Sequence, residues 1–245
     1  MPAGQFAALG LITADGAVRI DIGGPDAAAH DPTGSVQFIG SLDTASDRTH
    51  ASGVLIGQAC AGPTPGRFCG TATPARITLP TVLFPGTAGI QVATSGGGET
   101  WALDLYWFND RYWTPAHLRS PGESYDVLLA EFAADNNVVM SVDDAGRLFF
   151  QSPSTGCTGN GTFMPHLDGQ FNAYDVSLVI DSCNSAHAYL NGGFEGLATT
   201  NVLQPWDYGR DDAWLVWLSR PAAAGVSVAL TLLATPVGGA GAWDY

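Results

Sequence analysis

The sequence predicts a nearly all-β chain: an antiparallel barrel or sandwich with length enough for two β lobes. Three observations carry that reading. Apolar and polar residues alternate with a period of two in run after run, as expected of strands with one face turned to a core. The 245 residues include 31 Gly and 15 Pro, which suits frequent reversals between short strands better than a few long helices. Hydrophobic residues make up 46% and charged residues only 13%, so a sizeable core is available and disorder is excluded for the chain as a whole.

Taken in order, short strands are expected at residues 18–22, 36–39, 54–56, 76–79 and 90–93. The segment 80–98, with Pro85, Gly86, Gly89 and three glycines at 96–98, marks the expected boundary between an N-terminal lobe over 1–95 and a C-terminal lobe over 96–237. In 100–108, Trp101, Leu103, Leu105 and Trp107 share one face, while Ala102, Asp104, Tyr106 and Phe108 share the other. Helix signals are poor: 124–134 carries apolar residues at a mixed period, and 211–218 has room for one or two turns, although Trp214-Leu215-Val216-Trp217 reads equally as a buried strand. Runs at 138–142 and 147–151 flank Asp143-Asp144-Ala145-Gly146, a hairpin turn. A further strand ends at Phe163. In 173–181, Tyr174, Val176, Leu178 and Ile180 alternate with Asp175, Ser177 and Asp181; in 225–233, Val226, Val228, Leu230 and Leu232 alternate with Ser227, Ala229 and Thr231. The end of the chain, 238–245, is expected to be a flexible tail with an aromatic tip.

All nine basic residues are Arg, and against 23 acidic residues they leave a net charge of −14. Such a field repels phosphate backbones and anionic lipid headgroups, which excludes nucleic acid as the expected partner. No apolar run reaches the roughly 20 residues of a membrane-spanning helix. The start, Met1-Pro2-Ala3-Gly4, has neither the basic residues nor the apolar core of a signal peptide, so export implies a mature form with an added start codon.

Cys60, Cys69, Cys157 and Cys183 form no CxxC pair, and no His stands at zinc-ligand spacing from them. Three pairings are open. The economical one joins neighbours, Cys60 to Cys69 across a loop rich in Gly and Pro, and Cys157 to Cys183 across the ends of adjacent strands. The bland alternative is four buried thiols. An even count with turn-rich flanks favours disulfides, and with them an oxidising, extracytoplasmic compartment.

From Val142 through Arg147-Leu-Phe-Phe, Gly156-Cys-Thr-Gly-Asn-Gly161, Tyr174-Asp-Val, Cys183 and Leu190-Asn-Gly to Gly196-Leu-Ala198, the chain resembles a pattern found in uncharacterised proteobacterial lipoproteins and secreted proteins. In that pattern a hairpin leads to Gly-Cys-x-Gly-x-Gly, then Tyr-Asp-Val, a second Cys and Leu-Asn-Gly. The resemblance covers roughly a quarter of the chain and implies export, a Cys157–Cys183 bridge and a lipocalin-like or small-barrel topology, with no activity attached. Members of that group usually start after a lipobox cysteine; none stands near Met1, so lipid anchoring is not shown.

The most suggestive constellation for binding is Trp107, Asn109, Asp110, Tyr112 and Trp113: aromatic faces beside hydrogen-bonding groups are what a sugar platform needs. The alternative is that both Trp fill the core beside a hairpin turn. No catalytic residues are expected. Asp104, Glu123, Glu131 and Glu195 qualify for glycoside hydrolysis by residue type only, no G-x-S-x-G elbow accompanies His166 and Asp168, and five scattered His make no metal motif. The acidic groups at 43–47 and 207–212 do not follow an EF-hand loop, and Asn160-Gly161-Thr162 is an N-glycosylation sequon. No cofactor or metal is expected. The function expected is therefore that of a non-enzymatic surface or secreted protein binding an unknown ligand or protein partner. The alternatives are a self-associating structural subunit of an extracellular assembly, and, after it, a glycoside-type hydrolase.

Overall fold

A computed structural model describes residues 5–23, 36–43, 49–57, 70–79, 86–92, 98–106, 123–128, 138–200, 214–220 and 227–236. Within these residues the fold is all-β, with fifteen strands and two short 3-10 turns, His166–Gly169 and Ala188–Leu190. The chain divides into two compact units, Met1–Phe108 with Ser219–Thr231, and Asn109–Leu218 with Leu232–Tyr245.

The first sheet is a closed barrel of seven strands in sequence order: β1 (Gln5–Ile12), β2 (Ala17–Ile22), β3 (Val36–Leu42), β4 (His50–Gly57), β5 (Thr73–Thr78), β6 (Gly86–Val92) and β7 (Glu99–Tyr106). Each is antiparallel to the next. An odd number of such strands leaves the first and last pointing the same way, so the barrel can close only with a parallel seam. That seam is β1 on β7, from Gln5↔Ala102 to Leu9↔Tyr106. Because β7 bonds to both β6 and β1, the first lobe extends past the expected boundary at 95–96.

The second barrel has eight strands: β8 (Glu123–Leu128), β9 (Val139–Val142), β10 (Arg147–Ser152), β11 (Cys157–Pro165), β12 (Tyr174–Asp181), β13 (Gly192–Thr200), β14 (Trp214–Arg220) and β15 (Val228–Pro236). It is an up-and-down meander whose even count lets it close antiparallel, β15 on β8. Of the two segments with helical signals, the described residues are strand: 124–128 lies in β8 and 214–218 in β14. β14 is buried on both faces, which removes the alternation that would have identified it.

Inside the first barrel, Val18, Ile20, Ile22, Val36, Phe38, Leu55, Ile77 and Ile90 form the core. The second is filled by larger groups, with Phe150, Phe163, Tyr174, Phe194 and Leu178 all buried. The expected inner face Val176, Leu178 and Ile180 is buried, while Asp175, Ser177 and Asp181 are exposed. Phe163 meets Trp214 edge-on at 4.5 Å, and Tyr174 meets Trp214 at 4.6 Å, arrangements that aromatic quadrupoles favour. The side chains of Trp101, Leu103 and Leu105 lie outside the description.

The two barrels repeat one meander. At the β1–β2 turn, Thr13 N donates to Ala17 O (2.9 Å), Gly16 N to Thr13 O (2.9 Å), Ala17 N to Thr13 Oγ1 (2.9 Å) and Leu42 N to Gly16 O (2.7 Å). At the β9–β10 turn the same four bonds join Asp143 N to Arg147 O (3.1 Å), Gly146 N to Asp143 O (2.9 Å), Arg147 N to Asp143 Oδ1 (2.8 Å) and Phe163 N to Gly146 O (2.7 Å). Both turns end on a left-handed glycine, Gly16 at φ 93° and Gly146 at φ 73°. The register then runs in step: Val18 pairs with Gly40 and Leu148 with Gly161, each two residues past its turn glycine. Strands β1–β3 thus correspond to β9–β11, counting on in strand order sets β4–β7 against β12–β15, and β8 is the additional strand that turns a parallel seam into an antiparallel one. Gly40 faces Gly53 across β3 and β4, and a Cβ on Gly53 would meet Gly40 Cα at 2.6 Å. The backbones close in there, as strands do at the corner of a small barrel.

Candidate binding surface

The outer face of β10, β11 and β12 is assembled by register. Leu148 and Phe150 point into the barrel, so Phe149 between them points out; the same alternation turns Asn160 outward on β11 and Val179 on β12. Phe149 pairs with Asn160 and Asn160 with Val179, one unbroken row across three strands. Phe149 is 40% and Val179 52% exposed. Directly opposite residues in a ladder lie close enough to form one surface, so the row presents two apolar groups around an amide. Next to Val179 the row ends on Gly193, whose Cβ position is open space.

Two further rows flank it. Gln151, Thr158 and Asp181 lie on one side, with the Thr158 hydroxyl donating to Asp181 Oδ1 at 2.7 Å. That hydroxyl, then the one of Ser182, holds the Asp181 carboxyl below its ordinary value. Arg147, Thr162, Ser177 and Glu195 lie on the other side. Arg147 Nε sits 2.6 Å from Asp143 Oδ2. The backbone N–H of Arg147, helped by its guanidinium, keeps Asp143 below the usual aspartate value.

The two ends of this sheet are fixed differently. At one end Cys157 and Cys183 are joined by a disulfide, the pairing expected for them. The link after β12 is tied back by Asn184: its N donates to Thr155 O at 2.7 Å, its Nδ2 to Ser154 O at 3.3 Å, and its Oδ1 accepts from Ala186 N at 3.1 Å. Asn191 Oδ1 accepts from Cys183 N at 3.2 Å. At the other end the buried His166 sets Nδ1 2.9 Å from Asp175 Oδ1. A carboxylate only accepts, so Nδ1 carries the proton. Asp175 orients this ring, and Asp168 sits instead in a left-handed turn with Leu167.

Trp107, Asn109, Asp110, Tyr112 and Trp113 lie outside the described residues, as do Cys60, Cys69 and the 238–245 tail. Among the described residues no group of three or more His, Cys, Asp or Glu could hold a metal ion, and no helix is long and apolar enough to cross a membrane. Glu195 is exposed on the outer face of β13. The sequence reasoning passed over Phe149 and Val179; the available signal was their alternation with residues bound for the core. No family model, curated protein or solved structure matches the chain.

Proposed function

We propose that the chain is a non-enzymatic, extracytoplasmic binding protein that holds its ligand or partner on the outer face of β10–β12. The observation that carries this reading is the row of Phe149, Asn160 and Val179, with its apolar groups 40% and 52% exposed between flanking rows of polar and charged side chains. Large apolar groups in register around a hydrogen-bonding amide suit a contact centre, where aromatic anchors carry much of the binding energy. Rigid strands hold these groups better than loops would. The Cys157–Cys183 bridge supports the compartment, since such bonds persist where the environment oxidises.

Surface plasmon resonance on immobilised protein tests the reading, with neutral polysaccharides and the soluble chain itself as probes. Phe149→Ala should weaken capture about tenfold or more, equivalent to about 1.4 kcal/mol, with an unchanged thermal midpoint. Capture that survives both Phe149→Ala and Val179→Arg places the contact elsewhere and overturns the assignment.

A further inference from the structure

The repeated meander carries matching surfaces, and the two copies use them differently. On the first barrel the outer row Asp21–Gln37–Ile56 crosses β2, β3 and β4, and all three residues are buried. Leu230 and Thr231 belong to the same compact unit and reach this row at Gln37. Gln37, 0% exposed, donates from Nε2 to the carbonyl oxygen of Leu230 at 3.2 Å and lies 3.3 Å from Thr231 Oγ1. By the register of the two meanders, the matching row on the second barrel is Gln151–Thr158–Asp181. Gln151 and Asp181 are exposed there and Thr158 half-buried, and the adjoining row adds Phe149 and Val179. One face of one fold is therefore covered in the first copy and open in the second.

We propose that a second copy of this chain covers the open face, and that it does so with β6 and β7. By strand order these strands hold in the first barrel the place that β14 and β15 hold in the second, and β15 is the source of Leu230 and Thr231. The inference rests on the binding reading above and names its partner. The contact joins two different surfaces, so it is heterologous: it repeats from copy to copy and builds a head-to-tail chain unless the rotation closes a ring. Charge sets its salt dependence. A net charge of −14 pushes copies apart at a distance, whereas Phe149, Gln151, Thr158, Asn160 and Val179 are uncharged and Asp181 is the one carboxylate among these two rows. Added salt screens the repulsion and leaves the contact intact, so association strengthens with ionic strength.

Sedimentation velocity of the purified full chain over a concentration series, in low and high sodium chloride, tests this. Val179→Arg and Thr158→Arg alter the face, and Asp144→Arg at the exposed β9–β10 turn serves as the control. The expected result is a weight-average mass that rises about twofold or more with concentration, as a repeating contact requires, and rises further with salt. Asp144→Arg should leave this unchanged, and both face variants should return the chain to monomer with their thermal midpoints held. A wild-type chain that stays monomeric at both salt concentrations overturns the proposal, as does association that both face variants leave intact. A monomeric chain that still captures a polysaccharide through Phe149 also overturns it, while leaving the binding reading standing with a different partner.

Discussion

Val18 and Leu148 occupy one position in two copies of the same meander: each follows a left-handed turn glycine by two residues and pairs directly with a glycine on the next strand. The shared features are those that backbone geometry imposes. Gly16 and Gly146 provide the positive φ that ends each turn, and Gly40 and Gly161 let neighbouring backbones close in. The apolar residues between them differ freely, because a core accepts exchanges that conserve volume and pattern. Val18 fills the smaller core of the first barrel, and Leu148 stands among the aromatic rings of the second.

Gly161→Ala is expected to destabilise the protein by about 1–3 kcal/mol, the usual cost of forcing atoms into a closed space. A Cβ there would run into the Ser177 carbonyl and lie 2.9 Å from Leu178 Cα, and backbone cannot swing aside. Gly193→Ala is the control, since its Cβ meets nothing within 4 Å; its effect should stay within about 0.5 kcal/mol. Urea denaturation of both variants decides the matter, and equal midpoints would mean that β11 and β12 are not pressed together at Gly161.

Leu178→Ala is expected to cost about 2–5 kcal/mol, because the side chain is enclosed at 1% exposure among the rings of the second barrel. Val179→Ala, one residue on and 52% exposed, should change stability by less than about 0.5 kcal/mol. The contrast checks the strand's register, since a slip by one residue exchanges the two faces. Chemical denaturation of the pair is sufficient, and a larger loss from Val179→Ala would reverse the assignment.

Much of the fold was legible where one face of a strand meets solvent. At 173–181 every second residue is polar, and the structure buries the others. β14 was ambiguous because both its faces are buried, so Trp214-Leu215-Val216-Trp217 has no polar beat to distinguish strand from helix. The parallel seam follows from strand parity, which needs the full strand count, and β8 had been read as mixed-period. The repeat is hidden because only a few glycines and the turn geometry are held in common. The open face escaped notice because Phe149 lies between Leu148 and Phe150, where three apolar residues in succession blur the alternation.

The acid limb of stability should depend on Asp143. Its carboxylate accepts from Arg147 N at 2.8 Å and from Ala145 N at 3.0 Å, and its folded pKa lies below the ordinary 3.8. A depressed carboxyl stabilises the fold above its unfolded pKa and loses that contribution as pH falls through the folded value. Asp143→Asn should therefore lower stability near neutrality and flatten its decline below the ordinary aspartate range. Thermal midpoints of wild type and variant measured from neutral pH into strong acid check this; parallel curves would mean that the turn does not depend on the charge.

The Cys157–Cys183 bridge gives the last prediction. It joins residues 26 apart in sequence, and a loop of that length should stabilise the fold by about 2–4 kcal/mol, chiefly by restricting the unfolded chain. Cys157 is fully buried, whereas Cys183 lies at the start of a link held by Asn184 and Asn191. Thiol–disulfide exchange needs access to a sulfur, so a reductant should act slowly on the native protein and quickly once urea opens the second barrel. The double variant Cys157→Ala with Cys183→Ala should unfold at lower urea while keeping the β-type circular dichroism of the wild type, because the inward residues of β10–β13 still form a core without the bridge. Non-reducing peptide mapping supplies the covalent check: a peptide containing Cys157 should run linked to one containing Cys183. Peptides in which Cys157 is linked elsewhere, or a double variant as stable as wild type, would remove this bridge from the account of how the end of the barrel is held.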